Sequence, residues 1–224
     1  SDQPRSFFDY FYQTFAQVTN PPVDHLRERA ITDLRTHLGR RPNVFEPKTL
    51  IPPAPAIALR SPVLTPEEMA WVRQAAELDH AGDRNFERVE VNATFAQVRG
   101  PEGLKEALDD LSEKVLAAIR GGCSLVILSD RMAKPSRPPI PSLLALRAAV
   151  NVLDAWGHRL DASIVVDTAD ARTTHHVAAL VGLLRDLDVE DDYPGFVVDE
   201  LLGRELAAML AGDQPLRLLA EATF

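Results

Sequence analysis

From residue 56 onward the chain alternates strand-like and helix-like segments, and two of the strands are apolar throughout. Ser124 to Leu128 and Ser163 to Val166 have no polar face, the pattern of parallel strands covered on both sides. Between and around them lie helical stripes. One runs Leu104, Leu108, Leu111, Val115, Ile119 and stops at Gly121-Gly122; another starts at Pro141 and carries Leu143, Leu146, Val150 and Leu153; a third spans Thr173 to Leu184. Upstream, Thr65-Pro66-Glu67-Glu68 opens a helix, with Thr65 as N-cap, Pro66 at the first position and Glu68 completing a capping box. Ile57 to Leu59 and Arg88 to Phe95 read as strands, the latter by alternation. The order predicts an α/β fold of mostly parallel β/α units, partly barrel-like.

The first 55 residues differ, and we expect them to form a helical arm followed by a proline-rich crossing, with residues 56–224 as the α/β body. Phe7, Phe8, Phe11, Tyr12 and Phe15 share one face of a helix over residues 5–18, which Pro21-Pro22 prevents from continuing. Asp24 caps a second helix, whose stripe runs Leu26, Ala30, Ile31, Leu34 and Leu38, with Gly39 as its stop. Five prolines between residues 42 and 55 predict an extended crossing. At the other end, Phe196 to Val198 is a candidate last strand, and 201–210 and 216–222 read as closing helices.

Composition narrows the function classes. The net charge of −9 argues against a nucleic-acid binder and against docking on anionic lipid. A single cysteine, Cys123, permits no internal disulfide and sets a cytoplasmic expectation. No apolar run approaches the ~18 residues of a membrane span, and the start has no secretory pattern.

Few residues suggest chemistry. His175 and His176 are adjacent, so on a helix they point about 100° apart and share no ligating face. Cys123 precedes a buried strand and has no neighbouring base or cation to activate it. No phosphate-binding glycine loop is present. Asp130 and Asp167 follow the ends of apolar strands, where ligands of α/β sheets bind. With Arg131 they form a candidate small-ligand site; the competing reading is that they cap loops. The residues themselves thus indicate a soluble α/β domain without a complete catalytic site.

Several segments resemble the central domain of glutamate synthase large subunits. The run Phe15-Ala16-Gln17-Val18-Thr19-Asn20-Pro21-Pro22-Val23-Asp24 is long and specific. Leu38-Gly39-Arg40-Arg41-Pro42-Asn43, Leu128-Ser129-Asp130-Arg131, Pro139-Ile140-Pro141-Ser142-Leu143-Leu144-Ala145 and Ala171-Arg172 to His175-His176 continue it, so that the similarity covers about residues 1–182. The resemblance implies a non-catalytic linking domain that helps wall an internal ammonia route. Thr19 and Asn20 are then the candidates for lining the channel. It implies as partners an amidotransferase domain and a synthase domain in the same parent chain. It also leaves room for a small electron-transferring subunit. The parent would convert glutamine and 2-oxoglutarate to two glutamates. FMN and a 3Fe-4S cluster would sit in the synthase domain, and this chain would carry no cofactor or metal. Two departures stand out. A histidine-rich stretch usual in the family is replaced by Ala148 to Leu153, and the glycine-rich turn expected after Gly182 is replaced by Leu183-Leu184-Arg185-Asp186. Other readings are a stand-alone domain binding a ligand at the strand ends, and an assembly module that self-associates through its aromatic helix.

Overall fold

The computed structural model describes residues 6–11, 35–41, 56–75, 87–184 and 217–220. Its centre is three parallel strands, β4 (Arg88–Asn92), β5 (Leu125–Ser129) and β6 (Ser163–Asp167). They are joined by α2 (Gly100–Arg120) and α3 (Ser142–Ala155), and followed by α4 (Thr174–Leu184). The fold is α/β, with the parallel units where the sequence pattern puts them.

Two further strands complete the sheet, in the order β3-β7-β6-β5-β4. β7 (Arg217–Ala220) runs antiparallel to β6, and β3 (Val63–Leu64) antiparallel to β7. Leu218 and Leu219 were expected in a closing helix. Tertiary pairing wins instead, because β7 covers the otherwise open edge of a strand buried on both faces. A separate two-stranded sheet pairs β1 (Thr36–Leu38) antiparallel with β2 (Ile57–Leu59). Leu38 was expected on a helix; it lies on a strand because Leu38, Ile57 and Leu59 turn one common face inward. Gly39 consequently stops no helix. Its φ of 126° is one that glycine adopts without strain, and its amide and carbonyl both bond the Ser163 hydroxyl, at 3.0 and 3.1 Å.

The parallel strands bury opposite faces against different layers. Val126, Leu128, Ile164 and Val166 join Leu111, Val115, Leu146, Val150 and Val177 in a core with α2, α3 and α4. Leu125, Ile127 and Val165 join a second core with Met69 and Val72 of α1 (Pro66–Ala75), Leu64 of β3 and the β1–β2 pair. The predicted capping box of α1 is present. Thr65 Oγ1 accepts the Glu68 amide at 3.2 Å, and Glu68 accepts the Thr65 amide at 2.8 Å.

The aromatic segment forms a shorter element than expected, a 3-10 turn over Phe7–Tyr10 held by Ser6 and Asp9. Phe8 is fully buried. The remainder of both predicted arm helices up to residue 34, the last strand candidate at 196–198 and the helix at 201–210 fall outside the described residues.

Candidate functional site

The C-terminal ends of β5 and β6 gather the buried polar side chains of Ser129, Ser142, Asp167 and Thr168. Asp167 ends β6 with its side chain only 4% exposed. On the face shared with α1 its Oδ2 accepts bonds from two guanidinium groups, Arg73 Nη2 and Arg131 Nε, each at 2.6 Å. Arg73 is itself shared, since its Nε and Nη2 bond the two carboxylate oxygens of Glu90 on β4, at 3.2 and 3.1 Å. Burial lowers the affinity of Arg73 for its proton, but the Glu90 and Asp167 carboxylates outweigh that and raise its pKa. Arg131 belongs to the loop leaving β5, and its side chain is 43% exposed.

On the helix-covered face Asp130 plays a different part. Its Oδ2 accepts the Thr168 hydroxyl at 2.7 Å and the Ala169 amide at 3.0 Å, while the Asp130 amide donates to the Asp167 carbonyl at 3.2 Å. Asp170 in turn accepts the Ser142 hydroxyl at 3.1 Å, at the start of α3. Between these groups lies a cavity of about 10 Å3, bordered by Asp130, Ser142, Asp167 and Thr168 with apolar Leu128 and Val166. That is room for about one water molecule. The chain therefore brings Asp130, Arg131 and Asp167 together at the strand ends and engages each of them with a protein partner. Thr19 and Asn20 lie outside the described residues.

The arginine-carboxylate network was not visible in the sequence. Arg73 and Asp167 stand 94 residues apart, and Arg73 reads as an ordinary helix residue until α1 is placed on the sheet. The loop after β5 is legible only as polar. In space it zips to the loop after β4, through Phe95 N to Pro138 O at 3.1 Å, Gln97 N to Ser136 O at 3.3 Å and Ile140 N to Ala93 O at 2.9 Å. Gly103, in the first turn of α2, packs under this loop; a Cβ there would lie 2.7 Å from the Ala96 carbonyl oxygen.

The paired histidines hold the N-terminal turn. The His176 ring stacks on Phe8 at 4.2 Å and 13°, and its Nδ1 accepts the Arg172 amide at 3.1 Å. His175 Nε2 lies 3.3 Å from the Phe8 carbonyl oxygen. Among the described residues no group of three or more His, Cys, Asp or Glu could hold a metal ion. Cys123 is buried and donates to the Glu87 carbonyl at 2.9 Å, and burial pushes its thiol pKa up, the reverse of an activated nucleophile. Among the described residues no helix is long and apolar enough to cross a membrane.

The family model for the glutamate synthase central domain matches residues 1–184. A second family, described only as a domain of unknown function, matches residues 145–224. Among curated proteins, ferredoxin-dependent glutamate synthase 2 of Synechocystis is 38% identical over 190 residues, covering 81% of this chain and 11% of its own length. The glutamate synthase [NADPH] large chain of Azospirillum brasilense is 38% identical over 186 residues, covering 82% of this chain and 11% of its own. That of Bacillus subtilis is 36% identical over 182 residues, with 81% and 11% covered. The chain thus spans about one ninth of the curated relatives it matches. It belongs to the glutamate synthase central domain family.

Proposed function

We propose that this chain serves as the central, linking domain of a cytoplasmic glutamate synthase and does no chemistry itself. Its family match over residues 1–184 carries this reading. In the proposed parent, glutamine and 2-oxoglutarate become two glutamates. An amidotransferase domain releases the ammonia, and a synthase domain with FMN and an iron-sulfur cluster consumes it. The central domain walls the passage between them, with Thr19 and Asn20 at the channel. Short polar side chains suit that role, since they offer ammonia brief hydrogen bonds without a charge to trap it. The strand-end geometry supports the non-catalytic part, because the Oδ2 of Asp130 is bonded by Thr168 and Ala169 and the Oδ2 of Asp167 by Arg73 and Arg131.

The channel role is tested in the glutamate synthase that carries this domain, with Thr19→Trp and Asn20→Trp. The expected result is a fall of about tenfold or more in glutamine-dependent glutamate formation, with ammonia-dependent formation retained. Equal rates from both nitrogen sources, relative to the unsubstituted enzyme, would remove Thr19 and Asn20 from the channel.

A second reading rests on the convergence of Asp130, Arg131 and Asp167 at the strand ends, where α/β sheets bind ligands. There Arg131 and Asp167 would hold a small polar ligand. It ranks below the first because the cavity admits about one water.

A further inference from the structure

One exposed surface of this chain gathers positive charge, and an adjoining one carries an excess of negative charge. The first is the platform made by the zipped loops 93–99 and 130–139. It carries Arg99, Arg131, Lys134 and Arg137, all exposed, while its single carboxylate, Asp130, is turned inward to Thr168. Lys134 and Arg137 face each other as a backbone-paired bridge, with amide-to-carbonyl bonds of 3.0 and 2.8 Å in the two directions. Like charges directly opposite in such a pair repel. Arg137 is further tied by Nε to Thr94 Oγ1 at 3.3 Å. The same platform exposes two apolar side chains, Val98 at 94% and Met132 at 69%.

The second surface is the outer face of α2, which starts directly after Arg99. Glu102, Glu106, Asp109 and Glu113 are all exposed, and their spacings of four, three and four put them in one row, flanked by exposed Lys105 on one side and by the Asp110–Lys114 ion pair on the other, so that the face keeps an excess of carboxylates. Carboxylates four apart on a helix repel. Glu102 gains from the helix dipole in the first turn; Asp109 and Glu113, mid-helix, have no such support. Among the described residues the ion pairs of this helix are Arg99 with Glu106 and Lys114 with Asp110. Asp109 and Glu113 have none.

We propose that this chain pairs with a second copy of itself, the basic platform of each copy docking on the acidic α2 row of the other. Each surface raises its own electrostatic energy and each is relieved by the other. Because the two adjoin on one molecule, a two-fold arrangement makes both contacts at once. Val98 and Met132 supply apolar contact within the charged rim. The row rises about 17 Å along α2, so the two reciprocal contacts make a small interface, below the ~1,200 Å2 of stable specific ones and held chiefly by charge. A nucleic acid or an anionic membrane would satisfy the platform but would be repelled by the adjoining row and the net charge of −9.

Sedimentation of the 224-residue chain across concentration tests this, in low and high salt, with a reversed platform (Lys134→Glu with Arg137→Glu) and a reversed row (Asp109→Lys with Glu113→Lys). The expected result is a dimer at low salt, weakened by about tenfold or more at high salt as the charges are screened. Each double variant sediments as a monomer with an unchanged circular dichroism spectrum. Their equimolar mixture dimerises again, because one contact pairs the reversed platform with the reversed row and the other pairs the two surfaces left native. A wild-type monomer at every concentration and salt, a dimer indifferent to both reversals, or a mixture that stays monomeric overturns the proposal. The substituted residues are exposed, so loss of fold in one variant is detected by its spectrum, and Lys134→Gln with Asp109→Asn then replaces the reversal with neutralisation, for which weaker dimerisation is expected.

Discussion

On one face of the sheet, Val126, Leu128, Ile164 and Val166 meet α2, α3 and α4, helices that immediately precede or follow those strands in the chain. On the other, Leu125, Ile127 and Val165 meet Met69, Val72 and a two-stranded pair drawn from residues 36–59. The first face is covered by β/α neighbours, each helix falling back on the strand it leaves. The second is assembled from distant segments and needs fasteners. Ser163 grips Gly39 across 124 residues, and Asp167 grips Arg73 across 94. Local chain order builds one layer; long-range polar contacts hold the other in place.

That contrast can be broken at either layer. The largest effect is expected from Leu146→Ala, which empties a fully buried site between α3 and the sheet. A loss of about 3 kcal/mol is expected, seen as an earlier chemical-denaturation midpoint in a single transition. A change below about 0.5 kcal/mol would mean the helix layer is loosely packed. A smaller and more local effect is expected from Ser163→Ala, about 1 kcal/mol, since both its bonds to Gly39 are lost while the sheet core is untouched. Hydrogen exchange should then speed up at β1 and β2 while β5 and β6 stay protected. Equal acceleration throughout would show that the β1–β2 layer is as integral as the helices.

The same contrast explains what could be read in the sequence. The strands at 125–129 and 163–167 carry continuous apolar runs, and the helices at 100–120 and 142–155 carry their own periodicity and a proline at or beside their start, so the parallel body was legible. β1 and β7 were not. Leu38 fits a helical stripe as well as a strand, and only pairing with Ile57 decides between them. Leu218 is decided by Val63 and Val166, its partners on either side. At the strand ends, Asp130 and Asp167 were legible as candidates because they follow apolar strands. Their partners Thr168, Arg73 and Glu90 were not, because no short-range pattern links a helix arginine to a carboxylate 94 residues away. His175 and His176 carried a motif-like signal without metal spacing, and their contacts are with Phe8.

As proposed above, this chain is a linking domain with no reaction centre of its own. The purified chain's absorbance spectrum, recorded beside assays for glutamine hydrolysis and for glutamate formation from 2-oxoglutarate, tests it most directly. The account predicts a colourless protein with no turnover in either assay. A flavin-like spectrum, or turnover lost on Asp167→Asn, would contradict it and place a working site at the strand ends.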